Sequence, residues 1–391
     1  MNAPSYMAPP SIARWQRAAL AVGVLALAIS VAGGISNPTQ FFQSYLVGFL
    51  FWLGIPLGCL AILMLQYLTG GDWGMVIRRP LEAATRTLPL GLLLFVPLAF
   101  GMRHVYEWTS GEALPPHKAD YLTIHFFLVR AGIYFAIWLA LAWLVNHWSR
   151  RQDASGDAQN KRKKKLTMLA GPGIILYGLA VSFAAVDWIM SLDPSWYSSI
   201  FGMLIMGGQL VSGMAMMIAT LVVLAREKPM ADVYQSRHFH DLGKLLFAFV
   251  MVWAYFSVSQ LIIIWSGNLP EEIPWYTIRM ATGWRGIGLL VVVLHFVLPF
   301  SLLLSRDLKQ RPARLVWVAV LLLVARVLDI YWLTAPEFWS GGIHLHWMDA
   351  LITVGIGGIW LAYYARQLRQ LPLLPLGERS LAKAIAHEAH S

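Results

Sequence analysis

Apolar residues run along this chain in long unbroken blocks, not in the alternating or one-faced patterns of soluble domains. Ten stretches stand out, at approximately 17–36, 40–67, 88–102, 124–147, 168–189, 198–225, 242–266, 285–305, 314–333 and 347–368. Nearly all approach or exceed the ~20 residues that carry a helix across a hydrocarbon core of ~30 Å. The third is the shortest. No water in that core can satisfy backbone groups, so such stretches must close their hydrogen bonds within helices. The pattern predicts an all-α integral membrane protein with about ten transmembrane helices. The first block follows Arg14 and Arg17 in the manner of a secretory signal, but "SNPTQ" leads at once into the second, which predicts an uncleaved first helix.

Polar positions interrupt the blocks in a recurring way. "AAVDWIMSLDPSWYSS" (184–199) places Asp187 inside an apolar run, where a carboxylate costs on the order of 3 kcal/mol unless something compensates it. "VLDIYWLTAPEFW" (327–339) does the same with Asp329. Each aspartate lies seven positions before a proline, Pro194 or Pro336, with aromatic residues just beyond where an interfacial belt expects them. The preceding spans also start alike, "RAGI" at 130–133 and "RGIG" at 285–288, an arginine followed by small residues that allow close helix approach.

This repeat suggests two four-helix units, spans 2–5 and 6–9, flanked by spans 1 and 10. The boundaries are an N-terminal segment 1–16, a flanking helix 17–39, a first bundle 40–189 with a basic loop 148–167, a second bundle 190–340, a tenth helix 341–370 and a tail 371–391. Four spans return the chain to its starting side, so the two units are parallel. Many secondary transporters use inverted repeats, which weakens the reading as an independent transporter.

Composition agrees with the pattern, at 58% hydrophobic and 13% charged residues. The net charge of +10 acquires its meaning from position: 24 of the 30 Lys and Arg fall on one side of the expected membrane. By the positive-inside rule both termini are cytoplasmic, and the basic balance reflects orientation, not nucleic-acid binding. The run "KRKKK" at 161–165 reads as a topology determinant ahead of an anionic-lipid or partner patch. The tail beyond Pro375 is expected to form a short peripheral helix.

Among the buried charges, Arg130 and Asp187 would meet if the fourth and fifth spans are antiparallel neighbours, lowering the cost of both. His125 lies five residues nearer the outer surface than Arg130. Arg326 and Asp329, three apart, share a helix face. His295, ten residues beyond Arg285, is expected near the midplane, ~15 Å deeper. Two readings of these groups stand. Arg130 could snorkel outward, the aspartates could reach interfacial water, and His295 could tie two helices by a hydrogen bond. Alternatively, acids and arginines recurring at comparable depth in both units serve proton-handling or quinol-adjacent chemistry.

Asp193 and Asp349 are secondary candidates on the outer side. The stretch "GGIHLHWMDA" carries His344, His346 and an acid but no convincing third ligand, so no metal is expected. His125 and His295 sit at different depths, a poor arrangement for an intervening haem. The single cysteine, Cys59, and the absence of a C-x-x-C-H sequence exclude covalent haem and protein-held iron–sulfur clusters from this chain.

The segments "AAVDWIMSLDPSWYSSIFG" (184–202) and "HDLGKLLFAFVMVWAYFSVSQLIIIWSGNLPEEIPWY" (240–276), with the ten-span layout, resemble the ActF-type membrane subunits of bacterial alternative complex III, a quinol:electron-acceptor oxidoreductase. These subunits belong to the wider polysulfide-reductase-type membrane anchors, and the resemblance runs from about the second span to the tenth. It implies a multi-pass subunit of the bacterial cytoplasmic membrane without redox cofactors of its own, with quinone or menaquinone at or near it. It also implies a homologous quinol-binding membrane subunit, periplasmic iron–sulfur and multihaem cytochrome c subunits, and lipid as partners. On this view Asp187 and Asp329 carry protons, Arg130 and Arg326 tune them, and His125 and His295 act as relay groups. The alternative is a purely structural scaffold of that complex.

Overall fold

The computed structural model describes residues 6–375 apart from 112–113, 115, 154–158, 229 and 282, and among these it contains helices and no strands. The expected tail helix lies outside the described residues. Helix α1 (Ser11–Ser36) gives way to α2 (Pro38–Thr69) through one residue, Asn37, whose side chain accepts a hydrogen bond from the Gln40 amide at 3.1 Å. Pro38 sits at the first helical position, where its missing N–H costs nothing. The "SNPTQ" segment is therefore a helix stop and a helix start in immediate succession.

The third span is built from α3 (Arg78–Thr85) and α4 (Leu88–Phe100). A short α5 (Pro116–Ala119) precedes α6 (Ile124–Asp153) and α7 (Gln159–Trp188). Then come α8 (Phe201–Leu224), α9 (Ser236–Gly267) and the short α10 (Ile273–Ala281). The eighth span is α11 (Trp284–Val291), a π-turn over Val292–Val297, and α12 (Leu298–Leu304). Finally α13 (Arg306–Gln310) leads into α14 (Pro312–Phe338) and α15 (Trp347–Leu368). Among the described residues ten helical segments are long and apolar enough to cross a membrane. The protein is an all-α multi-pass membrane protein.

Helices α2 and α8 form the centre, packed along one another. Small residues permit the approach: a Cβ at Gly58 would overlap the Gln209 backbone, and one at Gly213 would lie 2.9 Å from the Cys59 nitrogen. Helices α4 and α7 pack on α2, while α9 and α14 pack on α8. Helix α15 packs on α2 and is itself covered by α1, with Gly23 and Gly358 in close contact. We call the end that carries the basic 148–167 connection the basic end, and the opposite one the far end.

The segment read as a basic loop at 68–87 is different from that expectation. It contains α3, in which Arg78, Arg79 and Glu82 are all buried. Arg79 pairs with Glu82 at 2.6 Å, and Glu82 also accepts from Ser149 at 2.6 Å. The three-residue spacing of Arg79 and Glu82 is legible along the chain, but the burial is not, because Ser149 of α6, which closes over the pair, is far away in sequence. The "KRKKK" run likewise belongs to the first turns of α7, not to a loop.

Candidate functional site

Near the far end, α6 and α7 run antiparallel and bring Arg130 to Asp187. The guanidinium donates from Nε to Oδ2 at 2.8 Å and from Nη2 to Oδ1 at 2.9 Å, a bidentate fork. The Tyr134 hydroxyl, one turn along α6, donates to Oδ2 at 2.7 Å. Arg130 spends a third donor on the Tyr121 carbonyl at 2.9 Å and lies 3.7 Å from the Tyr121 ring centre. Burial, then the nearby Asp187 carboxylate, pushes the Tyr121 phenol up to about 12. With Arg130 7% exposed and Asp187 0%, neither group reaches the surface of the isolated chain, so outward snorkelling is not what accommodates them.

In the other helix group the pair forms along one helix. Arg326 donates to Asp329 Oδ2, and Trp253 of α9 donates its indole N–H to the same oxygen at 3.1 Å. Both charged residues are 2% exposed. Gly208 of α8 makes room for this arginine, since a Cβ there would overlap the guanidinium. Asp187 lies next to the last residue of α7, whereas α14 runs on to Phe338 with Pro336 inside it. The two aspartates therefore differ in their place on the helix, although each precedes its proline by the same interval.

His295 sits in the π-turn. Pro299, four residues on, has no N–H to give to the His295 carbonyl, which is a physical reason for the regular ladder to open here. The imidazole is fully buried, its ring centre is 4.0 Å from that of Trp253, and neither ring nitrogen has a hydrogen-bond partner among the described residues. The hydrogen-bonded helix tie considered for it is not formed. Through the Trp253 indole, His295 is one residue removed from Asp329.

Between the two groups lies a small cavity of about 30 Å³. Arg326, Gln209 and Ser212 line one part of it, and Trp188, next to Asp187, lines another. The indole N–H groups of Trp138 and Trp188 have no partner. A water needs roughly 10–15 Å³ on this measure and two to four polar partners, and the cavity satisfies both conditions.

Three expected members stand elsewhere. His125 is exposed on the outer face of α6, about 140° around the helix from Arg130. Asp193 accepts from the Ser195 amide at 2.9 Å in a local turn. Asp349 closes the start of α15, accepting from the His346 amide at 2.9 Å, and receives Ser44 of α2 at 2.5 Å. Asp193 fixes a local turn, and Asp349 fixes the start of α15. His344 stacks on Trp339 at 3.9 Å and bonds Gln40 at 3.1 Å, and His346 caps α15.

Tyr134, Trp253 and Gly208 were missed in the sequence reading. Tyr134 carried a usable signal, since it follows Arg130 by four on one helix face. Trp253 and Gly208 act across helices and carried none. No family model matches this chain, and no curated protein matches it in sequence.

Proposed function

We propose that this chain is a membrane subunit of a quinol-oxidising respiratory complex in the bacterial cytoplasmic membrane, with both termini cytoplasmic. It supplies a proton-conducting path and a helix scaffold and no redox centre of its own. The observation that carries the reading is the small, largely apolar cavity between the two buried ion pairs, with Arg326, Gln209 and Ser212 on one wall and Trp188 beside Asp187 on another. Oxidation of a quinol releases two electrons and two protons. In this proposal the electrons pass to iron–sulfur and multihaem partners, and the protons need buried groups that can take and release them.

Asp329 and His295 suit such a role, because an imidazole without hydrogen-bond partners lies one indole away from the carboxylate. Asp187 can take a proton only when the Arg130 fork and the Tyr134 hydroxyl give way, since all three of their hydrogen bonds favour its ionised form. The cavity is far smaller than the ~300 Å³ at which ligand pockets begin, which favours a proton path over quinol binding within it. Quinol itself is then oxidised at the homologous membrane subunit or at the boundary with it.

A second reading, a purely structural scaffold, is favoured by one feature: both Asp187 oxygens are fully engaged by Arg130 and Tyr134, as in a helix tie. The test is made in the assembled complex reconstituted in vesicles, comparing Asp187→Asn, Asp329→Asn and the double variant. Quinol turnover and protons released per quinol are expected to fall in all three, with assembly intact by co-purification. Unchanged turnover and proton yield in the double variant would leave only the scaffold. Purification of the chain free of haem-bearing partners would remove the complex and return an independent transporter to consideration.

A further inference from the structure

A cleft of about 440 Å³ opens at the basic end between the α3–α4 junction, the last turns of α6 and the end of α15. Its basic side holds Arg86, His147, Arg150 and Arg151, and among the described residues no carboxylate lines it. Arg86 is fixed in place: it donates to Asn146 Oδ1 at 3.0 Å, to Gln367 Oε1 at 3.1 Å and to the Gln367 carbonyl at 3.1 Å. Asn146 is itself held by Thr85 at 2.9 Å and by the Ala142 carbonyl at 2.8 Å. A guanidinium held in this way presents its charge without further loss of side-chain entropy.

The other side of the cleft is apolar, formed by Pro89, Leu139 and Trp143. Trp143 is 62% exposed and stacks on His147, with ring centres 5.0 Å apart. On α6, Leu139 and Trp143 lie about three and two turns deeper toward the apolar part of the span than Arg150. Charge at the mouth and apolar surface just beneath it match a molecule with an anionic head and a hydrocarbon tail. A free phosphate would use only half of this surface.

We propose that this cleft binds the phosphodiester headgroup of an anionic phospholipid, with Arg86 and Arg150 on the phosphate and an acyl chain along Leu139 and Trp143. Arginine forks suit phosphate oxygens, and basic pockets between helices at a membrane surface are suited to such headgroups.

The test uses the full chain in neutral detergent, with phosphatidylglycerol and phosphatidylcholine as probes and native mass spectrometry to count retained lipid. Phosphatidylglycerol is expected to bind about 30-fold more tightly than phosphatidylcholine, given roughly 1 kcal/mol for each of the two engaged arginines. Arg86→Gln should lower this preference about fivefold, and Arg150→Glu, which also adds a repelling charge, by more. Arg150 is exposed, so its replacement leaves folding intact even if Arg86→Gln does not. Lys244→Glu, at the same end but outside the cleft, should change nothing. Equal retention of the two lipids, or equal losses in Arg150→Glu and Lys244→Glu, overturns the proposal. Full displacement of the lipid by millimolar inorganic phosphate also overturns it, in favour of a soluble anion.

Discussion

The two helix groups solve one problem in different ways. In the first, Asp187 on α7 takes its arginine from the neighbouring helix, and the pair with Tyr134 fastens α6 to α7. In the second, Asp329 takes Arg326 from its own helix, three residues away, and the link to a neighbour is a single indole N–H from Trp253. The arginine that corresponds to Arg130 in the repeat, Arg285, is exposed and takes no part. Asp187 is thus held by a fork and a hydroxyl, while Asp329 has an unpartnered imidazole and a water-sized cavity close by. The first pair is built for position, and the second leaves room for change.

The largest effect should come from removing one partner of a pair. Arg130→Leu leaves a fully buried carboxylate without its fork, which costs about 3–5 kcal/mol, read as a fall in the thermal unfolding midpoint of the purified chain. Arg326→Leu should cost less, since Asp329 loses one hydrogen bond where Asp187 loses two. Adding Asp187→Asn to Arg130→Leu should recover part of the loss. An equal cost in the two single variants would erase the contrast drawn above.

Next in size is the packing of the second pair. Gly208→Ala places a Cβ on the Arg326 guanidinium and should cost about 1–3 kcal/mol as an overpacking change. Gly54→Ala, on the facing helix, meets nothing nearer than the Gln209 Cγ at 3.5 Å and should be close to neutral in the same melting experiment.

Function should follow the looser pair. In the reconstituted complex Asp329→Asn is expected to lower quinol turnover about tenfold, ~1.4 kcal/mol on the barrier, and Asp187→Asn by less. The reverse order would assign the proton path to the first group. The smallest effect belongs to His125→Ala, which faces outward and should stay within ~0.5 kcal/mol in stability and leave turnover unaltered.

Much of this arrangement was legible along the chain because membrane spans carry their signal locally. Unbroken apolar blocks mark the helices, a polar residue inside one is costly wherever it occurs, and Arg326 and Asp329 are neighbours by helix geometry alone. The meeting of Arg130 and Asp187 needed only the assumption that consecutive spans are antiparallel neighbours. The depth of His125 could be read from sequence, but its direction around the helix could not. Asp349 was a secondary outer-side candidate, and a helix-capping acid and a proton-carrying one look the same in one dimension. The segment 68–87 misled because its charges counted as loop charges until Ser149 and the end of α2 closed over them.

The order and number of spans, the paired prolines and aspartates, and the cost of each buried charge are properties of nearest neighbours in the chain, and sequence alone determined them. Which charge meets which donor, the opening of α11 and α12 at His295, the cavity beside Arg326 and the cleft around Arg86 came only with the tertiary structure. Apart from the opening at His295, for which Pro299 gives a local reason, each depends on side chains from helices distant in sequence, whose relative rotation is set by close packing of small residues and is encoded in no single segment.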